Sequence, residues 1–212
     1  FANRYDIKIK SLRADNGMFR AKDFVEDATK YQQEITFCGV NAHHQNGIAE
    51  RYIRTIIERA RTNFLHAAIK WKDGIDSSLW TFAVNHAVHQ WNNTPRKDLH
   101  YASPEEVFTG HTNRDIDQND NIIKSNIAKS FHPFGCPVYV LKNELQKNET
   151  IPKFDSRSRT GVFLGYSSSH ARNVALVLNL KTNHISPQYH VVYDDTFSTL
   201  ETSKVCKLLE IW

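Results

Sequence analysis

Residues 45–51 read Gln-Asn-Gly-Ile-Ala-Glu-Arg, a turn followed at once by the start of a helical pattern. Asn46-Gly47 favours a sharp turn, because glycine adopts backbone conformations that other residues avoid. From Glu50 to about Lys70, apolar residues recur at helical spacing on one predicted stripe: Ile53, Ile56, Ile57, Ala60 and Phe64. The stretch therefore predicts a long helix with Glu50 in its first turn.

A second turn of the same kind lies upstream, where residues 13–17 read Arg-Ala-Asp-Asn-Gly. Residues 5–12 alternate apolar and charged side chains, which predicts a half-buried strand ending near Asp15. A helix over about residues 21–34 and a buried strand at 35–40 follow, so the chain can return and bring Asp15 close to Glu50.

Two converging carboxylates can bind Mg²⁺ or Mn²⁺, which prefer hard oxygen ligands. A pair of such ions stabilises the attacking and leaving oxygens in phosphoryl transfer. Spacing alone favours ordinary roles instead, with Asp15 as a turn residue and Glu50 as a partner of the helix dipole.

The residues around Glu50 strengthen the interpretation as a metal site relative to the ordinary roles of a turn residue and a helix-dipole partner. With Glu50 as the reference direction, Arg54 lies at about 40° and Arg61 at about 20° around the predicted helix. Residues 41–70 carry five Lys or Arg side chains against two carboxylates, and such a surface suits a phosphate backbone. The alternative is a solvated face on which Glu58 pairs with Arg54 and Arg61.

Further along the chain, the pattern predicts more helices, a linker and then strands. A helix is predicted over about residues 78–92, and a short one after Ser103, with Pro104, Glu106 and Gly110 as its start and stop signals. Residues 111–130 are polar and predict a linker. Four short apolar runs beyond residue 135 predict a small β-barrel or sandwich.

Composition sets broad limits on the class of protein. The 212 residues are 40% apolar and 24% charged with a net charge of +4, which permits nucleic-acid binding without requiring it. The three cysteines lie far apart and predict buried thiols rather than disulfides or a zinc cage. No apolar run is long enough to predict a membrane span, and no secretory leader is recognisable. Because the chain begins with Phe1 and its one methionine is Met18, we expect a piece of a longer protein.

The ordered series of motifs resembles the integrase of copia-type LTR retrotransposons (Pseudoviridae). The first part of the resemblance rests on "RADNG", "VNAHHQNGIAER", "ARTNFLHA", "LWTFAVNHAVHQWNNTPR" and "SPEEVFTG". The later motifs "FHPFGCPVYVL", "SRTGVFLGYS" and "SPQYHVVYDD" resemble the SH3-like barrel that follows the catalytic core in that family. The resemblance covers nearly the whole chain and looks nearest to copia lineages described from marine algae, although "DNGMF" departs from the Gly-Glu-Phe that commonly follows the family's Asp-Asn-Gly turn.

The resemblance implies a domain organisation and a fold class. Residues 1–110 would form an α/β ribonuclease-H-like core truncated at its N-terminus. Residues 111–130 would be a linker, 131–196 a small all-β SH3-like barrel, and 197–212 a tail.

The resemblance also implies an activity, the insertion of element cDNA into host DNA by two-metal phosphoryl transfer, in 3′-end processing and strand transfer. Asp15 and Glu50 would be the second aspartate and the glutamate of a site for Mg²⁺ or Mn²⁺. The family's first aspartate lies further upstream, and Asp6 is too close to Asp15 to replace it. The chain alone is therefore predicted to be inactive.

The implied partners are element cDNA ends and target DNA, with a homo-oligomer in the intact protein and no membrane. The candidate DNA contacts are Gln45, Arg51, Arg54 and Arg61, although Gln45 is equally a loop residue. The implied locations are the nucleus and a cytoplasmic virus-like particle. Two alternatives stay open: a non-catalytic DNA- or chromatin-binding remnant, and a ribonuclease H, which fits the core but not the barrel.

Three other features carry weaker hypotheses. His43-His44 favours loop histidines over a metal site, because no partner pair stands at ligand spacing. For the tryptophans, core packing is favoured over base stacking: Trp71, Trp80 and Trp91. In the barrel, four cations form either a DNA face or an ordinary solubilising surface: Lys153, Arg157, Arg159 and Arg172.

Overall fold

The computed structural model describes residues 7–15, 17–39, 46–71, 75–110, 114–116, 122–125 and 131–200. Packing divides the chain into two compact units, Phe1–Thr55 and Ile56–Trp212. The division falls inside one long helix and not at the predicted linker. The boundaries predicted for the core and the barrel stay predictions, because packing units and evolutionary domains need not coincide.

The first unit is built on two parallel strands, β1 (Ser11–Ala14) and β2 (Glu34–Phe37). Parallel strands need a crossover, and helix α1 (Lys22–Lys30) lies in that connection. Of the strand predicted at 5–12, residues 5 and 6 lie outside the described residues, residues 7–10 are not in a strand, and only Ser11 and Leu12 fall in β1, which begins at Ser11. Register against a partner strand, rather than the alternation of Ile7 and Ile9, fixes where the strand lies.

The helices that follow agree closely with their sequence signals. Helix α2 spans Gly47–Lys70 and helix α3 spans Trp80–Asn93, preceded by a 3₁₀ turn capped by the Asp76 carboxylate. Helix α4 (Pro104–Thr109) has the predicted capping box, and Gly110 ends it in the left-handed conformation with φ of 68°. No described helix combines the length and the apolar character needed to cross a membrane.

The segment predicted as a linker contains regular structure. Strands β3 (Arg114–Ile116) and β4 (Ile122–Ser125) pair antiparallel with an irregular register. Short polar segments can still form such a ladder, because main-chain hydrogen bonds do not depend on apolar side chains.

The predicted run of strands is confirmed as a five-stranded antiparallel sheet. The strands are β5 (Pro137–Leu141), β6 (Ser158–Tyr166), β7 (Ala175–Asn179), β8 (Ile185–Gln188) and β9 (Val191–Tyr193). Their order in the sheet is β8-β7-β6-β5-β9, and a short helix, α5 (Asn143–Gln146), follows β5. The mixed α/β region and the following all-β module therefore match the predicted fold class.

Alternating residues of the sheet bury two separate cores. Val162 and Leu164 of β6 point to a cluster that includes Ala60, Ala67 and Ala83 from the helices. Phe163, between them, points to the opposite cluster of the barrel. Helices α2 and α3 thus pack on the sheet within the second unit.

The apolar stripe predicted for α2 is partly wrong. Ile53 and Ile57 are 63% and 46% exposed, whereas Ala60 and Ala67 are buried. Small side chains line the buried side of this helix, so a stripe drawn through the large isoleucines misplaces its centre.

Candidate metal and nucleic-acid site

Asp15 lies directly after β1, at the strand end where the sequence places it. Its side chain is exposed, and Oδ1 accepts a hydrogen bond from the backbone N–H of Gly17 at 3.1 Å. This is the local bond of an Asx turn, which holds the carboxylate at the strand end. The turn role and a metal-binding role are compatible, since Oδ2 is not used in this bond.

Glu50 lies in the first turn of α2 and is also exposed. Ala14 pairs with Phe37, so the carboxyl ends of β1 and β2 lie at one edge of the parallel pair. Asp15 follows the first of these ends, and the chain leaving the second leads to Glu50. This topology favours convergence of the two carboxylates, which stays a prediction.

The chemistry of the two side chains suits a hard divalent cation, because carboxylate oxygens are the ligands that Mg²⁺ prefers. Within the described ranges, no group of three or more His, Cys, Asp or Glu side chains is arranged to hold a metal ion. The assignment of Asp15 and Glu50 as metal ligands stays a prediction.

The arginines predicted to contact DNA are placed on α2. Arg51, Arg54 and Arg61 are all exposed. Gln45 and the histidine pair 43–44 lie outside the described residues. Glu58 and Arg54 are both described, and no ion pair joins their side chains. This part of the alternative interpretation is therefore not observed.

The three tryptophans behave differently from one another. Trp71 packs against the helix–sheet core, and its Nε1 donates a 2.7 Å hydrogen bond to the Gly135 carbonyl. Trp80 is 58% exposed, so its predicted place in the core is wrong. Trp91 has the guanidinium carbons of Arg59 and Arg96 at 5.3 and 5.0 Å from its ring centroid. Sequence reasoning missed this arrangement, since its three members lie on different elements.

The basic residues of the barrel do not form one uniform surface. Arg172 donates a hydrogen bond to the Asn93 side chain of α3, whereas Lys153 and Arg157 are exposed. Arg159 is half-buried, and its Nη1 atom has no recorded hydrogen-bond partner. These four residues therefore have different surroundings. Whether they form a DNA face or a solubilising surface stays a prediction.

A groove of about 740 Å³ lies beside strand β9. His132 stacks on Tyr193 with 3.5 Å between ring centroids, and its Nδ1 is 2.8 Å from the Asp195 carboxylate. Burial raises the pKa of Tyr193 to about 12, so this phenol stays neutral near pH 7. One arginine, Arg157, lines the groove. Most of the other lining residues are aromatic or aliphatic: Tyr139, Leu141, Tyr166, Tyr189, Val191 and Val192.

A histidine at the helix–sheet boundary is unusual. His86 of α3 is 2% exposed, and neither ring nitrogen has a recorded hydrogen-bond partner. Its ring contacts Phe134 and Phe163, with centroids 5.9 and 5.7 Å away. Desolvation, followed by the charges of His89 and His132, lowers the pKa of His86 to about 4.

Comparison with known proteins adds a family to this geometry. A family model described as "Retroviral polymerase SH3-like domain" matches residues 136–205. The match includes strands β5 to β9, which supports the SH3-like interpretation of the sheet.

Three curated relatives are retrovirus-related Pol polyproteins of plant transposons. The chain is 30% identical over 162 residues to that of transposon TNT 1-94 from Nicotiana tabacum, covering 75% of this chain and 10% of the relative. The polyproteins of transposons RE1 and RE2 from Arabidopsis thaliana are 28% and 25% identical, with 91% of this chain covered in each case and 11% and 12% of the relatives. The chain thus spans about a tenth of the length of these relatives. All three are from land plants, so the expected algal lineage gains no support.

A solved structure, the simian T-cell lymphotropic virus intasome in complex with the PP2A regulatory subunit B56 gamma, is 13% identical with a TM-score of 0.40. The alignment covers 97% of this chain and 61% of that chain, a likeness too weak to establish a common fold. The sequence matches along the chain and the SH3-like module carry the assignment: this chain belongs to the copia-type retrotransposon Pol polyproteins, where it corresponds to the integrase region.

Proposed function

We propose that this chain is part of an integrase that joins element cDNA to host DNA by two-metal phosphoryl transfer. The observation that carries the proposal is the placement of Asp15 and Glu50. Each follows one of two parallel strands whose carboxyl ends lie at the same edge. Both side chains are exposed, as ligands that must meet a metal ion and a DNA strand need to be.

Asp15 and Glu50 would hold Mg²⁺ or Mn²⁺, and a bound pair of such ions supplies charge neutralisation for phosphoryl transfer. The chain's own residues have binding and orienting roles. The Asx turn fixes the Asp15 carboxylate at the strand end. The arginines of α2, with Gln45 in the preceding segment, would hold the phosphate backbone of element or target DNA: Arg51, Arg54 and Arg61.

The proposed setting follows from the polyprotein family. The partners would be element cDNA ends and target DNA, and the intact protein would act as a homo-oligomer. The protein would occur in a cytoplasmic virus-like particle and in the nucleus. A non-catalytic DNA- or chromatin-binding remnant is the outcome that the following experiment separates from an enzyme.

The test is the joining of a labelled blunt DNA end to a plasmid. The 212-residue chain should show no joining, because two carboxylates alone bind a hydrated Mg²⁺ weakly. A longer chain that includes the upstream aspartate should be active. In that chain, Asp15→Asn or Glu50→Gln should each reduce joining by roughly a hundredfold or more, since a metal clamp supplies several kcal/mol of transition-state stabilisation.

Matched controls lie on the neighbouring helices. Asp23→Asn in α1 and Glu58→Gln in α2 change the same chemistry at exposed positions and should leave joining intact. Joining that survives Glu50→Gln would show that this carboxylate is not a ligand. A longer chain that binds DNA but never joins it would favour the remnant.

A further inference from the structure

Strand β9 is the last strand in the order of the sheet, so among the described strands it has a neighbour on one side only. Two hydrogen bonds join opposite residues of β5 and the β9 segment on either side of Val192: the Leu141 N–H to the His190 carbonyl, and the Asp194 N–H to the Pro137 carbonyl. Bonded pairs occur at every second residue of an antiparallel ladder, so the main-chain groups of Val192 face β5. Those of Val191 and Tyr193 therefore face the open edge. The Val191 N–H already donates to the Tyr189 carbonyl, so a further strand would use the Tyr193 N–H and the carbonyls of Val191 and Tyr193.

The groove beside this edge offers apolar surface next to the outward main-chain groups. Val192 and Tyr189 line it and are 67% and 62% exposed. Among the described residues that line the groove, one is an arginine, Arg157, and none is Asp or Glu. The Tyr193 wall is held in place because His132 stacks on its ring. An open strand edge beside an apolar groove suits an extended peptide, since main-chain bonds supply affinity and the groove selects side chains.

The chain turns back toward this edge directly after β9. The Asp194 carboxylate accepts four hydrogen bonds from the residues that follow, which closes a compact turn: from the hydroxyls of Thr196, Ser198 and Thr199 and from the Thr199 N–H. Phe197 within the turn is buried, and its ring lies 5.1 Å from that of His66 in α2. Leu200 then packs on the same barrel cluster as Val191 and Tyr193. The chain therefore leaves this turn close to β9.

The sequence that follows has the chemistry that the groove requires. Residues 201–212 read Glu-Thr-Ser-Lys-Val-Cys-Lys-Leu-Leu-Glu-Ile-Trp, so the last five side chains are four apolar groups and the Glu210 carboxylate. The family match runs to residue 205, so the module that it describes continues past β9. An extended chain advances about 3.3 Å per residue, and the eight residues after Leu200 can span about 26 Å, well beyond the length of β9. A segment tethered this closely has an effective concentration on the order of millimolar, so weak contacts are sufficient for docking.

We propose that residues 201–212 bind in cis along the open edge of β9, with the apolar side chains of residues 208–212 in the groove and the Glu210 carboxylate near Arg157. The groove is thus a binding site for an extended apolar peptide that carries one carboxylate. This role goes beyond the proposed function, because neither DNA nor a metal ion takes part in it. Its test is therefore independent of DNA joining.

The first test compares two amides of β9 by hydrogen exchange followed by NMR in the full 212-residue chain. The docked segment should protect the Tyr193 N–H, which faces the open edge. Leu208→Asp combined with Leu209→Asp (the double variant) places two charges in an apolar groove, so it should make this amide exchange roughly tenfold faster or more. The Val192 N–H faces β5 and should exchange at the same rate in both chains. Equal Tyr193 rates, or the same acceleration at both amides, would contradict docking at this edge.

The second test adds a fluorescein-labelled synthetic peptide of residues 201–212 and follows its anisotropy. The peptide should bind the double variant roughly tenfold more tightly than the unchanged chain, in which the tethered segment competes for the groove. A peptide with the same two aspartates should bind neither chain. Equal affinity for the two chains, or no binding to either, would show that the segment does not occupy the groove.

Substitutions in the groove locate the bound peptide, and each is made in the double variant. Val192→Asp should abolish binding, because a charge on an edge strand prevents pairing. Val192→Thr keeps the branched shape and should change the affinity by about twofold at most. Peptide binding that is insensitive to Val192→Asp would place the site elsewhere.

A double-mutant cycle tests the contact between Arg157 and Glu210. Arg157→Gln in the double variant should weaken peptide binding by about twofold to fivefold, the range of an exposed ion pair. A Glu210→Gln peptide should lose no further affinity for that chain, because its partner is already removed. Losses that simply add would show that the two side chains do not meet.

A second copy of the chain is the competing occupant of the groove. Docking in cis predicts that protection of the Tyr193 amide is the same at all protein concentrations, since the tethered segment needs no second molecule. Protection that rises with protein concentration would overturn docking in cis and assign the groove to the segment of another copy.

Discussion

The two compact units differ in what they bury. Among the described residues of the first unit, the buried apolar side chains are small: Ala14, Ala28 and Cys38. The second unit buries large ones, including Phe134, Phe163 and Leu164. Because stabilisation by apolar burial scales with the area removed from water, the second unit holds most of the stabilising core. The proposed metal ligands thus lie in the thinly packed part of the chain.

Removing a large core side chain should give the largest effect and sharpen this comparison. Phe163→Ala should cost about 4 kcal/mol of unfolding free energy, because it leaves a cavity in the barrel core. Phe37→Ala, in half-buried β2, should cost only about 1 kcal/mol. The three described tryptophans, Trp71, Trp80 and Trp91, lie in the second unit, so urea unfolding followed by tryptophan fluorescence reports Phe163→Ala. Amide hydrogen exchange in β2 reports Phe37→Ala, and equal costs would remove the contrast between the units.

Acid should act mainly on the second unit, through His86. The folded pKa is about 4 against 6.5 for the ordinary group, so the unfolded chain binds the proton more readily. The stability associated with neutral His86 is complete above pH 6.5 and is lost as the pH falls toward 4, with a total of about 3 kcal/mol. Urea unfolding at a series of pH values should show this loss.

A variant that lacks only His86 tests the assignment. His86→Leu should remove most of the slope between pH 6.5 and 4, because leucine fills much of the same space without a titrating group. His89, whose pKa is also lowered, should leave a smaller residual slope. An unchanged slope in His86→Leu would place the acid sensitivity elsewhere.

Helix caps should give the smallest effect. Ser103 accepts from the Glu106 N–H, and the Glu106 carboxylate accepts from the Ser103 N–H, so Ser103→Ala should cost about 1 kcal/mol by thermal or urea unfolding.

Ala21 precedes α1 with no side-chain cap bond, and Ala21→Ser should stabilise that helix by about 0.5 kcal/mol. A destabilised Ala21→Ser variant would show that the α1 start cannot use a cap.

Local signals predicted the elements that are set by local chemistry. The capping box of α4 and its terminal Gly110 follow from nearest neighbours in the sequence, and both were placed correctly. The same holds for the turn after β1, where Asp15 bonds to Gly17. Asp15 and Glu50 could be assigned to a strand end and a helix start, but their separation depends on how distant elements pack.

Features that depend on contacts between distant residues could not be predicted from the sequence. The position of β1 is set by its register with β2, and the buried side of α2 is set by small residues such as Ala67. The contact between Trp91 and Arg59 could not be predicted from local sequence patterns, because Arg59 lies 32 positions earlier in the sequence. Periodicity shows that a face exists, but contacts decide which residues occupy its centre.

The hydrogen bond from Trp71 to Gly135 joins residues 64 positions apart. A ribosome makes α2 and α3 well before it makes β6 and β7, against which these helices pack. During synthesis, the helix faces that are buried in the folded protein therefore stay in contact with solvent or chaperones until β6 and β7 are made. The order of translation thus delays completion of this core until the sheet has left the ribosome, and ribosome-bound chains that end before β5 would lack their closing partner.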